Sequence, residues 1–227
     1  MRHTGQHRLQ GFVVSVVSVT TLIFSLFTGS IVQAGTIAGS SHDFSALGWG
    51  GGEICVACHT PHQSDTTVTA PLWNHTNTTT NFTMYTSPSL DAISTGQPGG
   101  TSRLCLSCHD GTVALDSFGG AVGGTVMTGR AAVGTAGDLS DDHPISITYD
   151  TNLAATDGSL YDPATTITTI GLAGGKTKTD TIANIMLTTG TVQCSSCHDV
   201  HNTFTVGAPL LKISTAGSQL CLTCHNK

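Results

Sequence analysis

The sequence predicts a fold with few secondary structures: loop-rich, with short helices at four copies of one cysteine motif and a few short β-strands between them. Three observations predict it. All eight cysteines fall into the pattern C-x-x-C-H, with none left over. Glycine is abundant, 27 residues in all, in runs such as Gly48 to Gly52 broken only by Trp49. Charged residues are 10% of the chain and aromatic residues 5%, so the chain is poorly equipped to pack a core from its own side chains. The expectation is that another group supplies the apolar mass.

The N-terminus reads as an export signal. Arg2 and Arg8 precede a mostly apolar run from Gly11 to about Phe27, and Val32-Gln33-Ala34 has the small-residue pattern of a cleavage site. A membrane anchor is the competing reading, because the run is near the lower limit for spanning a bilayer. Residues 1–34 are expected to be a cleaved signal peptide, leaving an exported chain with no membrane anchor. Residues 35–227 are then one domain with a Gly/Thr-rich insert at about 111–193. Without Arg2 and Arg8, 6 basic residues face 14 acidic ones, a net charge of −8. A nucleic-acid partner is excluded on this ground, since phosphate binding needs clustered Lys and Arg.

The motif occurs at Cys55, Cys58 and His59, at Cys105, Cys108 and His109, at Cys194, Cys197 and His198, and at Cys221, Cys224 and His225. C-x-x-C-H is the attachment pattern of c-type haem. Two thiols three residues apart reach one edge of a porphyrin, and the adjacent histidine turns under the ring as proximal iron ligand. C-x-x-C alone also serves zinc and thiol redox chemistry. Zinc requires no histidine in the fifth place, however, and disulfides require no such spacing. Four covalently attached haem c groups are expected, one per about 48 residues of the exported chain. At that density the porphyrins themselves organise the core, and the apo-chain is expected to be largely disordered.

Function then turns on the opposite face of each iron. Five histidines remain outside the signal and the motifs: His42, His62, His75, His143 and His201. Four of them, His42, His62, His143 and His201, are the expected distal ligands, with His75 in reserve. Methionine would raise the potential, but Met186 lies in DTIANIML, where Ile182, Ile185 and Met186 have amphipathic spacing that indicates packing. His62 and His201 stand three residues after His59 and His198. A three-residue link cannot pass around the edge of a macrocycle, so each serves a different haem or none. Pro144 biases His143 to extended backbone. Ile145, Ile147 and Tyr149 alternate as a short strand would, and Asp141 or Asp142 is placed to orient the imidazole. No nucleotide-binding or hydrolase motif is present in the sequence.

The stretches GSSHDFS, GEICVACHTPH, APLWNH, LCLSCHDGTVALDSFGG, DHPISITY, CSSCHDVHN and LCLTCH together resemble the small tetrahaem cytochromes of metal-reducing bacteria, of the OmcE-type extracellular cytochrome nanowire subunits. The resemblance spans most of the exported chain and is weakest in the insert. It implies bis-histidine haems in one continuous chain along a self-associated filament. Carried over by motif, it gives His62 the role of ligating a haem of the adjacent subunit. The expected function is electron transfer to extracellular acceptors, with other redox cytochromes as partners and an extracellular or cell-surface location. A monomeric periplasmic shuttle is the alternative, and a multihaem reductase the minority reading.

Overall fold

In the computed structural model, which describes residues 37–94, 96–204 and 210–227, each cysteine motif is one turn of helix. The His59 N–H donates to the Cys55 carbonyl at 2.8 Å, His198 to Cys194 at 3.1 Å and His225 to Cys221 at 2.9 Å. Residues three apart share a helix face, so this turn brings the two thiols of a motif to one side. The second motif lies inside the longest helix, α1 (Gly100–His109). The first is a bare turn with no helix around it. It follows a glycine run in which Gly50, Gly51 and Gly52 all have positive φ, which starts no helix. At Gly50 a side chain would collide with Val56 of that motif.

The chain between the second and third motifs holds most of the remaining order. α2 (Thr151–Asp157) starts at Asp150, whose carboxylate accepts from the Leu153 N–H, and stops at Gly158 in the left-handed conformation. Strands β4 (Ile167–Leu172) and β5 (Lys176–Thr181) form an antiparallel hairpin. Its three-residue connection ends on Gly175 at φ 75°, which supplies the backbone twist a three-residue hairpin needs. Thr169 and Thr179 pair across the ladder, with hydroxyls 2.7 Å apart. α3 (Ile182–Met186) follows, capped by Thr181. Two-residue strands complete the set: β1 (Thr83–Met84) runs parallel to β2 (Asp138–Leu139), and β3 (Ile147–Thr148) antiparallel to β6 (Thr191–Val192). Helices α4 (Cys194–Cys197) and α5 (Gln219–Leu222) carry the third and fourth motifs. The fold is thus five short α-helices, six 3-10 turns and three two-stranded sheets among the described residues, joined by loops. No described helix is long and apolar enough to cross a membrane, and the expected signal peptide lies outside the described residues.

One expectation is corrected. The insert packs an apolar core from its own side chains: Tyr149, Leu153, Ala154, Ile170, Ile182, Ile185 and Met186, with Ile182 fully buried. The aliphatic residues that build it stand at helical spacing in α3, with Ile170 as the buried member of β4. Met186 packs in this cluster, as its spacing predicted. The fourth motif leans on the same core, because Leu220 and Cys224 pack against it. A smaller cluster of Phe82, Leu106 and Leu139 sits beneath α1.

Candidate haem-binding sites

Three of the motifs are held by the same device. A returning segment pairs one residue with the proximal histidine in an isolated bridge, as Trp73 with His59, Leu211 with His198 and Leu160 with His225. The next residue donates its N–H to the carbonyl of the second cysteine: Asn74 to Cys58, Lys212 to Cys197 and Tyr161 to Cys224, each at 2.9 Å. The residue after the histidine donates back, as Thr60 to Leu72, Asp199 to Leu210 and Asn226 to Ser159, at 2.8–2.9 Å. These straps were not anticipated from the sequence. A signal was present, since Ala70-Pro71-Leu72 and Ala208-Pro209-Leu210 are the same tripeptide. Leu72 and Leu210 also share a left-handed backbone, φ 55° and 60°, uncommon for a non-glycine residue. Gln63 and Asn202, which follow His62 and His201, repeat one another too, at φ 57° and 53°. The first and third motifs therefore repeat one another at the cysteine turn, at Gln63 and Asn202, and at the strap residues Leu72 and Leu210.

The expected ligands come together in pairs. His42 lies against His109 with ring centroids 6.1 Å apart, His201 against His59 at 6.2 Å and His143 against His225 at 6.5 Å. His201, barred by its short link from the iron of His198, thus sits opposite the proximal histidine of the first motif. The interplanar angles are 56°, 15° and 76°. His62 is exposed, and its backbone is bonded to the Thr60 hydroxyl. His198 is also exposed. His75 is 3% exposed, and both of its ring nitrogens meet backbone carbonyls, Nδ1 that of Thr76 at 2.8 Å and Nε2 that of Ala114 at 3.0 Å. A neutral imidazole donates to one of these carbonyls only, and the ring lies beside the Cys108 sulfur.

Hydrogen bonds orient several rings. The Nδ1 of His59 meets the Pro71 carbonyl at 2.8 Å, that of His109 the Ala131 carbonyl at 2.7 Å and that of His143 the Pro144 carbonyl at 3.0 Å. Donation from Nδ1 leaves Nε2 with its lone pair, the form that binds a metal. For His143 the partner is this carbonyl rather than Asp141 or Asp142. Burial, then the neighbouring His109, His198 and His201, lower the pKa of His42. Burial and then His143 lower that of His225. Both effects favour neutral, ligating imidazole.

The cysteines bring the motifs into register with one another. No two of the eight are joined in a disulfide. The second and third motifs touch: a thiol–thiol hydrogen bond between Cys105 and Cys194 raises the pKa of Cys105 and lowers that of Cys194. The junction is locked by Ser102, whose Oγ accepts from the Cys194 N–H at 3.0 Å and whose own N–H donates to Gln193 at 3.1 Å. Among the described residues, no group of three or more His, Cys, Asp or Glu side chains converges on a single metal ion.

Residues 187–227, which hold the third and fourth motifs, match the family model of the doubled CXXCH motif. The match supports a multihaem c-type cytochrome. It also supports electron transfer as the chemistry, and the C-x-x-C-H motifs indicate covalently bound haem c. No curated protein matches the chain. The residues fit such a group. With metal–imidazole bonds of about 2 Å and roughly 1 Å from nitrogen to ring centre, two imidazoles on one iron have centroids about 6 Å apart. The three histidine pairs have that separation. His42 Nδ1 and Trp73 Nε1 are, besides, buried polar atoms with no hydrogen-bond partner in the protein.

Proposed function

We propose that the chain is an exported tetrahaem c-type cytochrome that conducts electrons through closely spaced bis-histidine haems. We further propose that copies join end to end into an extracellular filament. The observation that carries the first part is the separation of the three histidine pairs, 6.1–6.5 Å. Haem, when bound, supplies a one-electron iron couple. The residues around it hold and orient. Cys55 with Cys58, Cys105 with Cys108, Cys194 with Cys197 and Cys221 with Cys224 anchor the four groups, and His59, His109, His198 and His225 are the proximal ligands. His201, His42 and His143 are the distal partners of His59, His109 and His225. Straps and carbonyl bonds hold these rings in place, so little moves when the charge on the iron changes.

His62 supports the second part. It holds in the first motif the place that His201 holds in the third, and His201 reaches from its own motif to another. His62, exposed, is the residue to reach the iron of a neighbouring copy. Subunit contact and electronic contact are then one event.

The test is carbon monoxide added to the reduced protein, read by visible absorption. Bis-histidine iron stays low-spin and does not react. A prompt high-spin shift in any haem favours the reductase reading. Native mass and electron microscopy decide the filament: a monodisperse species of one chain at all concentrations indicates the periplasmic shuttle instead.

A further inference from the structure

The three straps differ in the residue that bonds the second cysteine of each motif. It is Asn74 at Cys58, Tyr161 at Cys224 and Lys212 at Cys197. Two are uncharged, and the third brings an ammonium to the same relative position. Without Arg2 and Arg8 the chain has 6 basic residues, and this one is partly buried rather than spent on the surface. Lys212 Nζ donates to the Ile185 carbonyl at 3.0 Å. It also stands 5.8 Å from the centre of the Phe204 ring, within cation–π range. The residue is thus fixed at both ends, its backbone on the third motif and its Nζ on α3.

The charge bears on the motif itself. Burial raises the pKa of the Cys197 thiol, and Lys212 opposes that rise. Burial lowers the pKa of Lys212, and Asp199 and then Cys197 oppose that fall. Sulfur and ammonium therefore lie within electrostatic reach of one another. Asp199 acts on Lys212 through space, because its carboxylate is bonded within its own loop. It accepts from the N–H groups of His201 at 3.1 Å and Thr203 at 2.6 Å and from the Thr203 hydroxyl. Among the described residues, Lys212 forms no ion pair with a carboxylate. Taking an ammonium even partly out of water without a counter-charge is costly, and a surface lysine could cap α3 without that cost.

We propose that the Lys212 ammonium is a fixed positive charge beside the third motif that raises the reduction potential of the haem anchored by Cys194, Cys197 and His198. The inference rests on the haem reading above. Reduction adds one negative charge at the iron, so a cation held nearby stabilises the ferrous form more than the ferric. Partial burial limits the screening that solvent and salt impose on an exposed lysine. Lys212 acts through its charge and needs no contact with the porphyrin. It sets the third haem apart from those strapped by Asn74 and Tyr161.

The test is Lys212→Met, which keeps the apolar stem and removes the charge, with Lys212→Arg as the charge-retaining companion. Lys212→Gln is a second neutral variant that still carries an N–H donor. Peptide mass spectrometry first establishes whether the third motif carries haem; a bare third motif in the unmutated protein sinks the haem reading itself. With haem attached, both neutral variants are expected to lower the potential of one haem in spectroelectrochemical titration, and Lys212→Arg to keep it near the unmutated value. Unchanged potentials in the neutral variants, with haem retained, overturn the proposal and leave Lys212 as a cap on α3, read only as a lower melting temperature. An equal fall in Lys212→Arg would assign the effect to packing and overturns it as well. Lys178→Gln is the control, since Lys178 is exposed on β5 and is expected to leave every potential in place. A fall there as large as in Lys212→Met would mean that net charge, not a held ammonium, sets the potential.

Discussion

His201 lies opposite His59, ring centroids 6.2 Å apart and planes 15° from parallel, although one follows the third motif and the other belongs to the first. Replacing His201 with alanine is expected to free one iron face. One haem becomes high-spin and binds carbon monoxide on reduction while the others stay inert. His75→Ala, by contrast, removes a buried ring that donates to one of two backbone carbonyls beside it. It is expected to cost about 1–3 kcal/mol of stability without opening any iron. A His75→Ala protein that binds carbon monoxide would return His75 to the list of distal ligands.

His62→Ala is expected to leave haem content unchanged and to shorten or abolish the filaments. Electron microscopy with light scattering reads the outcome. Unaltered assembly would sink the proposed role of His62.

The insert core is expected to matter for stability rather than for haem attachment. Ile182 is fully buried among Tyr149, Ile170, Ile185 and Met186, so Ile182→Ala removes packed atoms and leaves a cavity. The expected loss is about 2–5 kcal/mol, read as a lower melting temperature with the covalent haem count unaltered.

Leu72 offers a test of the straps. Its φ of 55° strains a side chain by about 1–2 kcal/mol, and a β-branched residue there is worse still. Leu72→Gly is expected to be close to neutral, the relief offset by the entropy glycine loses on folding. Leu72→Val is expected to destabilise the protein. The reverse order in chemical denaturation would mean that the strap does not hold this conformation.

A pH dependence follows from Asp162, just beyond the strap on the fourth motif. Its carboxylate accepts from the Thr151 hydroxyl at 2.8 Å, the Ala164 N–H at 3.0 Å and the Thr165 hydroxyl at 3.1 Å. The Thr151 bond, then that of Ala164, lowers its pKa. A carboxylate held below its unfolded value stabilises the fold while ionised, and that contribution disappears as pH falls through the folded value. The stability gap between the unmutated protein and Asp162→Asn is therefore expected to be full near neutrality and to close in and below the ordinary carboxylate range. A gap that persists there would mean the interaction does not depend on charge.

Much of the local chemistry was legible because it is written in short spacings. C-x-x-C-H determines that two thiols and an imidazole occupy one helical turn. The three-residue link in CHTPH and CHDVH bars His62 and His201 from the iron of their own motif. The spacing of Ile182, Ile185 and Met186 determines a buried helix face. The insert core was missed for a reason of averaging: a chain with 27 glycines looks poor in apolar mass, and the average hides where the aliphatic residues gather.

The sequence by itself determined the motif turns, the supply of histidines and the small share of regular structure, all of which depend on neighbours a few residues apart. Only the tertiary structure decided that His201 meets His59, that His42 meets His109 and that His143 meets His225. It also placed the His75 ring between the carbonyls of Thr76 and Ala114 and gave three straps one geometry. Those relations join segments far apart in the chain, and they depend on how loops close and cores pack. No local spacing encodes them.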